Sequence, residues 1–369
     1  MAEEIGTGKS AFIIRECSAE FQYPILGSTS IIGYSDSFDY EGNFILTARV
    51  GANAGTLYRY DGKVKITDNT VFIKNDLLDY LFYLLDKTDL KKLSFGTGQP
   101  LIKSSELKIL LLHFPEAAEQ TLIGTFFRTL DDTIALFKRK LDGLKKLKSA
   151  YLQQMFPQEG ECVPKVRFNG FTGKWVKKRL GEVVEKVKSY SLSRDVETEE
   201  ATGYRYIHYG DIHKQIADLI TCDEQLPYIK YGDYFTLNQG DLILADASED
   251  YTGIAEPSVI LHEPTDKIIA GLHTIALRPK NTNSLYLYYL MHTEDFKKFG
   301  GYVGTGLKVF GITFNNLSLY ETRLPSLPEQ TVIGNFFKNL DDQIAAYQTK
   351  LDKLNQLKAA YLQKMFIST

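Results

Sequence analysis

Two stretches of the chain share a pattern in which apolar residues recur at alternating spacings of three and four. They cover residues 119–156 and 329–366, and no proline interrupts either one. An apolar seam sustained over several heptads is typical of a long helix that packs against another helix. The predicted seam residues are Ile123, Phe127, Leu130, Ile134, Phe137, Leu141 and Leu144 in the first stretch, and Ile333, Phe337, Leu340, Ile344, Tyr347, Leu351 and Leu354 in the second.

The two stretches are copies of one another. Residues 119–156 align with residues 329–366 without a gap, and 24 of the 38 aligned positions are identical. A weaker similarity precedes each copy, where Leu81–Leu93 aligns with Leu287–Phe299. Each half of the chain is therefore expected to be a globular head followed by a repeated helix.

The direction of the two helices follows from the order of the chain. The first helix leads from head one to head two, so the second helix can bury its seam on the first only by running back. We therefore predict an α+β fold in which two α/β heads are separated by two long antiparallel helices, a coiled-coil spacer with pseudo-twofold symmetry. The alternatives are that each helix packs on its own head, or that two chains dimerise through the helices.

The predicted domain order has four parts. They are a first head at residues 1–114, the first repeated helix at 115–157, a linker with the second head at 158–325, and the second repeated helix at 326–369. Head two opens with Phe171–Val187, and the repeat predicts an equivalent opening segment for head one, which residues 1–10 do not resemble.

Both heads carry the short, turn-bounded runs of mixed α/β domains. In head one, Phe44–Val50 and Lys63–Ile66 are expected to be strands, and the region around Asp76–Leu93 a helix. In head two, Tyr204–Ile212 is expected to be mostly strand, and Ser284–Phe299 is expected to be a helix.

Composition narrows the class of protein. The chain has 369 residues, of which 44% are hydrophobic, so it can bury more than one core. A net charge of −3 excludes binding of nucleic acid by bulk positive charge alone. Three cysteines that lie far apart argue against a disulfide scaffold or a zinc module, and they favour a reducing cytoplasm. No signal peptide and no apolar run long enough to span a bilayer is evident.

No motif supports an enzyme class. Gly6–Ser10 resembles the end of a phosphate-binding loop, but Glu3 stands where that motif needs a glycine. The histidines are scattered, so no metal site is expected. The adjacent acids at 131–132 and 341–342 point about 100° apart on a helix and are interpreted as a solvated or partner-facing edge.

Two basic clusters bear on nucleic-acid binding. Lys138–Lys148 and Lys174–Lys188 each hold six positive residues. Such clusters are either solvated surfaces or contacts to the phosphates of a duplex, and the pattern leaves both interpretations open.

Several segments resemble the specificity subunit of type I restriction–modification enzymes. They are the repeated helices, the linker Leu147–Trp175 with the RLGEV that follows it, and the closing Leu357–Phe366. Gly27–Thr70 is similar to one common variety of target-recognition domain in that family, and Tyr204–Ile212 resembles the second. The resemblance covers almost the full chain.

This resemblance implies a non-catalytic protein that reads a bipartite double-stranded DNA site. Each head would be a target-recognition domain, and the length of the spacer would fix the gap between the half-sites. The family's subunits recruit two methyltransferase subunits, which bind S-adenosylmethionine and methylate adenine N6, and restriction subunits join them in the complete enzyme. No cofactor is expected in this chain itself.

The residues expected to contact DNA are polar side chains, mostly in glycine-rich loops, and each could instead be a structural or solvated loop residue. Arg49 and Lys308 suit guanine, and Asn53 and Gln99 suit adenine. The full set is Lys9, Ser10, Arg49, Asn53, Thr97 and Gln99 in head one, and Tyr204, His208, Asp246, Thr252, Thr305 and Lys308 in head two.

Two other functional classes compete with DNA recognition. A two-headed protein–protein scaffold on a coiled-coil rod would need no DNA specificity, and copurification with an adenine methyltransferase would argue against it. A nucleotide-dependent enzyme is suggested only by Gly6–Ser10.

Overall fold

The computed structural model describes residues 4–9, 12–93, 100–158, 160–249, 253–306 and 310–366. The chain divides into two compact units. Unit 1 comprises Met1–Lys140 and Tyr347–Thr369, and unit 2 comprises Leu141–Ala346. Each unit therefore contains one head and one part of each long helix.

A six-stranded sheet forms the body of unit 1. Its strands are β1 (Glu4–Thr7), β2 (Tyr23–Leu26), β3 (Ile31–Ser35), β4 (Tyr40–Ala48), β5 (Leu57–Ile66) and β6 (Thr70–Lys74). They lie in the order β1-β6-β4-β5-β2-β3, and only β2 and β5 pair in parallel. The second half of β4 is buried on both faces, because Ile45 packs towards the helices while Phe44 and Leu46 pack on the opposite side.

The helices of unit 1 follow the sheet. They are α1 (Leu78–Thr88), a 3-10 turn at Leu90–Leu93, α2 (Ser104–Lys108) and the long α3 (Ala117–Gln154), which continues into unit 2. Leu81 and Leu85 of α1 pack with Ile45 of the sheet, so the helical layer covers one sheet face.

Unit 2 contains a four-stranded sheet, a five-stranded sheet and two strand pairs. The strand orders are β16-β10-β12-β9, β11-β15-β13-β17-β8, β14-β18 and β19-β7. The elements are β7 (Val176–Arg179), α4 (Leu180–Val183), β8 (Val184–Val187), β9 (Glu197–Thr198), β10 (Tyr204–Ile207), α5 (Tyr209–His213), β11 (Leu219–Ile220), β12 (Tyr228–Ile229), β13 (Leu242–Ala245), β14 (Ala247–Ser248), β15 (Pro257–Ile260), β16 (Lys267–Ala270), β17 (Thr274–Pro279), α6 (Ser284–Met291), α7 (Glu294–Val303), β18 (Phe310–Gly311), α8 (Phe314–Leu317) and β19 (Glu321–Leu324), with 3-10 turns at Arg194–Val196 and Asp223–Gln225. The long α9 (Leu327–Met365) begins in unit 2 and continues into unit 1.

The long helices α3 and α9 run antiparallel within unit 1. The rings of Phe126 and Tyr361 have centroids 5.2 Å apart, and those of Phe137 and Tyr347 are 5.5 Å apart. Residue numbers thus rise along α3 while they fall along α9.

The same direction holds within unit 2. Lys148 contacts Asp341 at 2.5 Å, and the ring of Tyr151 lies 5.2 Å from that of Phe336. The predicted antiparallel helix pair is therefore confirmed. All of the predicted seam residues are buried or half-buried.

A glycine lets each head approach its long helix closely. A Cβ on Gly124 of α3 would lie 2.7 Å from the backbone nitrogen of Tyr80 in α1. A Cβ on Gly334 of α9 would lie 2.9 Å from the Cβ of Leu285 in α6. Because real Cβ atoms do not reach such distances, an alanine at either position would push the two helices apart.

The interpretation of the paired acids as a solvated or partner-facing edge is wrong for the first acid of each pair. Asp131 and Asp341 are half-buried, and each pairs with a lysine of the other long helix. The partners are Lys358 and Lys148 respectively. Sequence spacing could not reveal this, because each partner lies some two hundred residues away along the chain.

The expectation of strand over residues 204–212 is only partly correct. Strand β10 ends at Ile207, and α5 begins two residues later. His208 caps this helix, since its Nδ1 accepts from the backbone N–H of Gly210 and its own N–H donates to the Asp211 carboxylate, both at 3.1 Å. The predicted helix at residues 284–299 is likewise interrupted, because α6 ends at Met291 and α7 starts at Glu294.

Candidate nucleic-acid interface

Arg49 follows directly after β4 and is held by its backbone. Its N–H donates to the carbonyl of Asn69 at 2.9 Å, and its carbonyl accepts from Ile102 at 2.8 Å. Its Nη1 donates to the carbonyl of Asp68 at 3.3 Å, while its Nε has no hydrogen-bond partner among the described residues. Because this Nε is buried, a ligand would reach the half-buried guanidinium only through its terminal nitrogens.

Asp246 follows directly after β13 in unit 2. Its N–H donates to the carbonyl of His273 at 3.0 Å, and its carbonyl accepts from Ile312 at 2.8 Å. The carboxylate lies 3.1 Å from Nδ1 of His273. Burial raises the pKa of Asp246, and the contact with His273 opposes that rise.

These two surroundings match contact by contact, and we call them the recognition frames. Ile102 and Ile312 stand at the same place in the two copies. The turn after each strand also repeats: Gly55 donates to the carbonyl of Ala48, and Ala255 to that of Ala245, at 2.9 and 3.0 Å. Both turn residues have a positive φ, 87° and 59°. One backbone design thus presents an arginine in unit 1 and an aspartate in unit 2.

His273 is held in an unusual conformation beside Asp246. Its φ is +56°, a left-handed value that costs energy for a residue with a side chain. Half of its side chain is exposed, and its ring meets Tyr209 edge-on at 5.3 Å. The Asp246–His273 pair therefore presents both an acceptor and an imidazole to the surface.

Two other predicted residues of head two lie close to this recognition frame. Thr305 exchanges backbone hydrogen bonds with Gly311, the residue before Ile312, at 3.0 and 2.8 Å. His208 packs on Tyr209 with ring centroids 4.5 Å apart, but it is buried and burial lowers its pKa. His208 is therefore a buried support of the recognition frame through its contact with Tyr209.

Tyr204 is not part of that group. It begins β10 and is largely buried, and its hydroxyl accepts from Lys267 at 2.9 Å. Its ring meets Tyr231 at 5.3 Å. In this place it serves the packing of the four-stranded sheet.

The predicted loop residues of head one lie apart from one another. Lys9 donates its backbone N–H to Ile66 at 2.8 Å, and Gly8 donates to Thr70 at 3.2 Å. In the loop that resembles a phosphate-binding motif, these two N–H donors are therefore already hydrogen-bonded to the sheet. The Lys9 side chain is 3.5 Å from Asp39.

Asn53 is exposed in the turn after β4, where only its backbone carbonyl has a described partner, Thr56. Five predicted residues lie outside the described residues. They are Ser10, Thr97, Gln99, Thr252 and Lys308.

Sequence reasoning missed Asn69 and His273. The segment Lys65–Ile73 aligns with Ile269–Leu277, and this alignment places Asn69 opposite His273, one residue before a strand in both copies. An unlike pair of polar residues at one position of a repeat was the signal that could have identified them.

The basic clusters are partly used inside unit 2. Lys177 and Arg179 both pair with Glu321, and Lys178 pairs with Glu182. By contrast Lys138, Arg139, Lys140, Lys145 and Lys146 are exposed. The exposed group at residues 138–146 is the stronger candidate for contact with phosphates.

The described ranges also bear on metal binding and on membrane insertion. In those ranges no three histidine, cysteine, aspartate or glutamate residues come together in a way that could hold a metal ion. None of the helices described there is both long enough and apolar enough to cross a membrane.

Comparison with known proteins identifies the family. The family model of the type I restriction modification DNA specificity domain matches residues 7–146 and 172–356. The MjaVIII specificity subunit of a type I restriction enzyme from Methanocaldococcus jannaschii is 23% identical over 348 residues, which cover 86% of this chain and 76% of that protein.

Solved structures agree in fold. The S subunit of a type I restriction–modification system from M. genitalium matches with a TM-score of 0.65 and 16% identity, over 99% of this chain and 94% of that one. A chain from a structure of the type I R-M system, described in terms of its complex assembly and conformational transition, matches with a TM-score of 0.51 and 17% identity, over 93% and 90%. The family model matches twice, once in each half, and the two matches together cover most of the chain. The chain therefore belongs to the type I restriction–modification DNA specificity family and is a DNA specificity subunit, not a protein–protein scaffold.

Proposed function

We propose that each unit reads one part of a bipartite DNA site through its recognition frame, and that the chain recruits methyltransferase subunits that perform the chemistry. One observation carries this proposal. The same backbone contacts present Arg49 in unit 1 and Asp246 in unit 2, so the scaffold is shared and only the reading groups differ.

The two reading groups suit different base edges. The guanidinium of Arg49 can donate two hydrogen bonds to O6 and N7 of guanine, the most frequent specific contact in the major groove. The carboxylate of Asp246 can only accept while it is ionised, which suits the N4 amino group of cytosine. Asn69 and His273 flank these groups and would restrict their orientation.

A duplicated surface on the long helices supports the proposed recruitment of two methyltransferase subunits. Leu122 of α3 and Val332 of α9 occupy the same position of the repeat, and they are 72% and 38% exposed. Leu147 and Leu357 form a second such pair, at 41% and 42%. Apolar side chains exposed at repeated positions fit two copies of one partner.

The remaining parts of the proposal concern the partners. The chain itself would be non-catalytic, and S-adenosylmethionine would be held by the methyltransferase subunits, which flip and methylate the target adenine. Restriction subunits would join the same complex in the cytoplasm. A methyltransferase that copurifies at about two copies per chain would support this assembly.

The test replaces one reading group at a time. Arg49→Gln and Asp246→Asn are coexpressed with the cognate methyltransferase in a host without adenine methylation, and methylated sites are mapped by long-read sequencing. Each variant is expected to relax or change a single position in one half of the site, with a loss of about 1–3 kcal/mol of discrimination. Lys63→Gln, at an exposed position of β5, is the matched control and should leave the site unchanged. An unaltered methylated sequence in both reading-group variants would contradict the assignment of these residues.

A further inference from the structure

Two three-residue clusters connect the long helices to each other and to the heads. The first, in unit 1, comprises Asp131 of α3, Lys358 of α9 and Tyr83 of α1. Lys358 Nζ lies 2.6 Å from Asp131 Oδ1, and the hydroxyl of Tyr83 donates to Asp131 Oδ2 at 2.7 Å. Lys358 Nζ also lies 5.5 Å from the centre of the Tyr83 ring.

The second cluster, in unit 2, repeats the first with the roles of the helices exchanged. It comprises Asp341 of α9, Lys148 of α3 and Tyr289 of α6. Lys148 Nζ lies 2.5 Å from Asp341 Oδ1, and the hydroxyl of Tyr289 donates to Asp341 Oδ2 at 2.8 Å. The distance from Lys148 Nζ to the ring centre is again 5.5 Å.

The environment of these clusters makes their contacts specific. The side chains of Lys148 and Asp341 are 24% and 18% exposed, and those of Lys358 and Asp131 are 23% and 27% exposed. A polar residue at a seam position is known to favour one register of a helix pair at some cost in stability. Half-burial keeps that cost moderate while it penalises any arrangement that leaves a charge unpaired.

Other arrangements of the two helices would leave these charges unpaired. In a parallel, in-register pair, Asp131 would face Asp341 and Lys148 would face Lys358. Like charges at close range on a half-buried seam repel each other. The clusters therefore discriminate against the parallel direction.

A shift by one heptad in the antiparallel direction fails for the same reason. Lys148 would then face Gln348 or Gly334 instead of an acid, and Lys358 would face Lys138 or Gly124. Neither one-heptad shift satisfies either lysine, whereas the observed register satisfies both.

We infer that the Lys148–Asp341–Tyr289 and Lys358–Asp131–Tyr83 clusters are positioning elements that fix the register of the helix pair, reinforce the direction that the chain connection already imposes, and couple each recognition head to it. In this role they set the spacing at which the heads read DNA. The inference about spacing rests on the proposed function, whereas the inference about register does not.

The test reverses the charges in steps. The Asp131→Lys/Asp341→Lys variant places two lysines at each contact, and addition of Lys148→Asp and Lys358→Asp restores opposite charges. The tyrosine hydroxyls can accept from the new lysines, so the restored clusters can be satisfied once Arg59 is neutral. Arg59→Gln is therefore present in every chain of this series, because Arg59 Nη2 lies 4.0 Å from Asp131 Oδ2 and donates to the Tyr83 hydroxyl at 3.2 Å. Asp132→Lys/Asp342→Lys is the matched control, because these neighbouring acids are exposed and Asp342 pairs only within its own helix, with Lys338.

The first measurement needs no DNA. Phe137→Cys and Tyr347→Cys, whose native rings are 5.5 Å apart, report the register by disulfide formation in a chain whose three native cysteines are replaced by serine. Reversal of both acids is expected to lower the rate of disulfide formation at least about fivefold, and the fourfold substitution to restore it to within about twofold. An unchanged rate after reversal, or no recovery on restoration, would overturn the inference about register.

The second measurement maps methylated DNA sites in the presence of the cognate methyltransferase. We expect the acid reversal to abolish the bipartite pattern and the fourfold variant to recover it with the original gap. If the disulfide rate falls while the gap and pattern persist, the link between register and reading is wrong. If the unsubstituted chain directs no sequence-specific methylation at all, the proposed function fails, and the disulfide measurement still decides the register.

Discussion

The two units agree closely where each head meets its long helix, and they differ in the side chains that their matching recognition frames present. In unit 1 the Tyr83 and Phe127 rings are 5.0 Å apart, and in unit 2 the equivalent Tyr289 and Phe337 rings are 5.1 Å apart. At the frames, an arginine in one unit stands where an aspartate stands in the other. The comparison teaches that the helix junction, which we call the mount, is built alike in both units, whereas the residues that follow β4 and β13 differ.

A second difference concerns the strand just before each long helix. In unit 2, β19 pairs with β7 at an edge of the head. The equivalent residues of unit 1, 111–114, form no strand, and Leu111 is 85% exposed. Leu112 and Phe114 of this segment line a cavity of about 460 Å³ together with Leu81, Leu85 and Leu107. The two heads therefore share a mount but are not equally closed at this edge.

Exchange of a whole head is the largest test of the constant mount. Replacement of residues 1–114 by a different target-recognition domain should change one half of the methylated sequence completely and leave the other half as it was, because the reading groups of each unit lie in separate heads. Methylation mapping by long-read sequencing measures both halves in one experiment. A change in both halves would show that the heads do not read independently.

Removal of an aromatic ring from the mount is expected to have the next largest effect. Phe127→Ala and Phe337→Ala should each cost about 3–5 kcal/mol in the free energy of unfolding, because both side chains are fully buried among aromatic rings. Urea unfolding of the full chain gives the values. The mount predicts that the two losses are equal within about 1 kcal/mol; a clearly unequal pair would show that the units differ at the junction as well.

Acidification is expected to lower the stability of unit 2 more than that of unit 1, and this effect is smaller than that of removing an aromatic ring. Burial lowers the pKa of His292 in unit 2 to about 3, and the aligned residue of unit 1 is the exposed Asp86. Because the unfolded chain binds a proton at about pH 6.5 and the folded chain does not, stability present above that pH is lost as the pH falls towards 3, by at most about 1.4 kcal/mol per pH unit. His208 has a pKa shifted in the same direction, so it adds to this loss.

His292→Gln isolates the contribution of one histidine. Urea unfolding at about pH 7 and about pH 5 should show a smaller acid loss in the variant than in the unsubstituted chain. Equal losses in the two proteins would mean that His292 is protonated in the folded state as readily as in the unfolded one.

The helix pair could be predicted from the sequence because its apolar seam residues recur at local spacings of three and four over a long stretch of the chain. The direction of pairing followed from the connection of the chain alone, and the structure confirms it. The polar contacts were different: Asp131 and Asp341 gave no local sign of Lys358 and Lys148, since each partner lies on the other long helix. Fold patterns are therefore readable where one residue type repeats, and not where two distant groups meet.

The candidate site was harder to predict for a related reason. Arg49 and Asp246 were both expected to contact DNA, yet nothing in either local sequence showed that they hold the same place in two copies of one frame. Asn69 and His273 became visible only through backbone hydrogen bonds to those residues. His208 was misplaced in a strand, because the alternating aromatic run hid the capping box that starts α5.

The opposite charges at the ends of β4 and β13 have a consequence for the nucleic acid. A protein that presents unlike residues at two equivalent positions does not match an inverted repeat, because an inverted repeat offers the same bases to both positions. If Arg49 and Asp246 read bases as proposed, the cognate duplex has two unlike half-sites, and the bound protein lies along it in one direction only. A chain with arginine at both of these positions, or aspartate at both, would instead favour a palindromic DNA site.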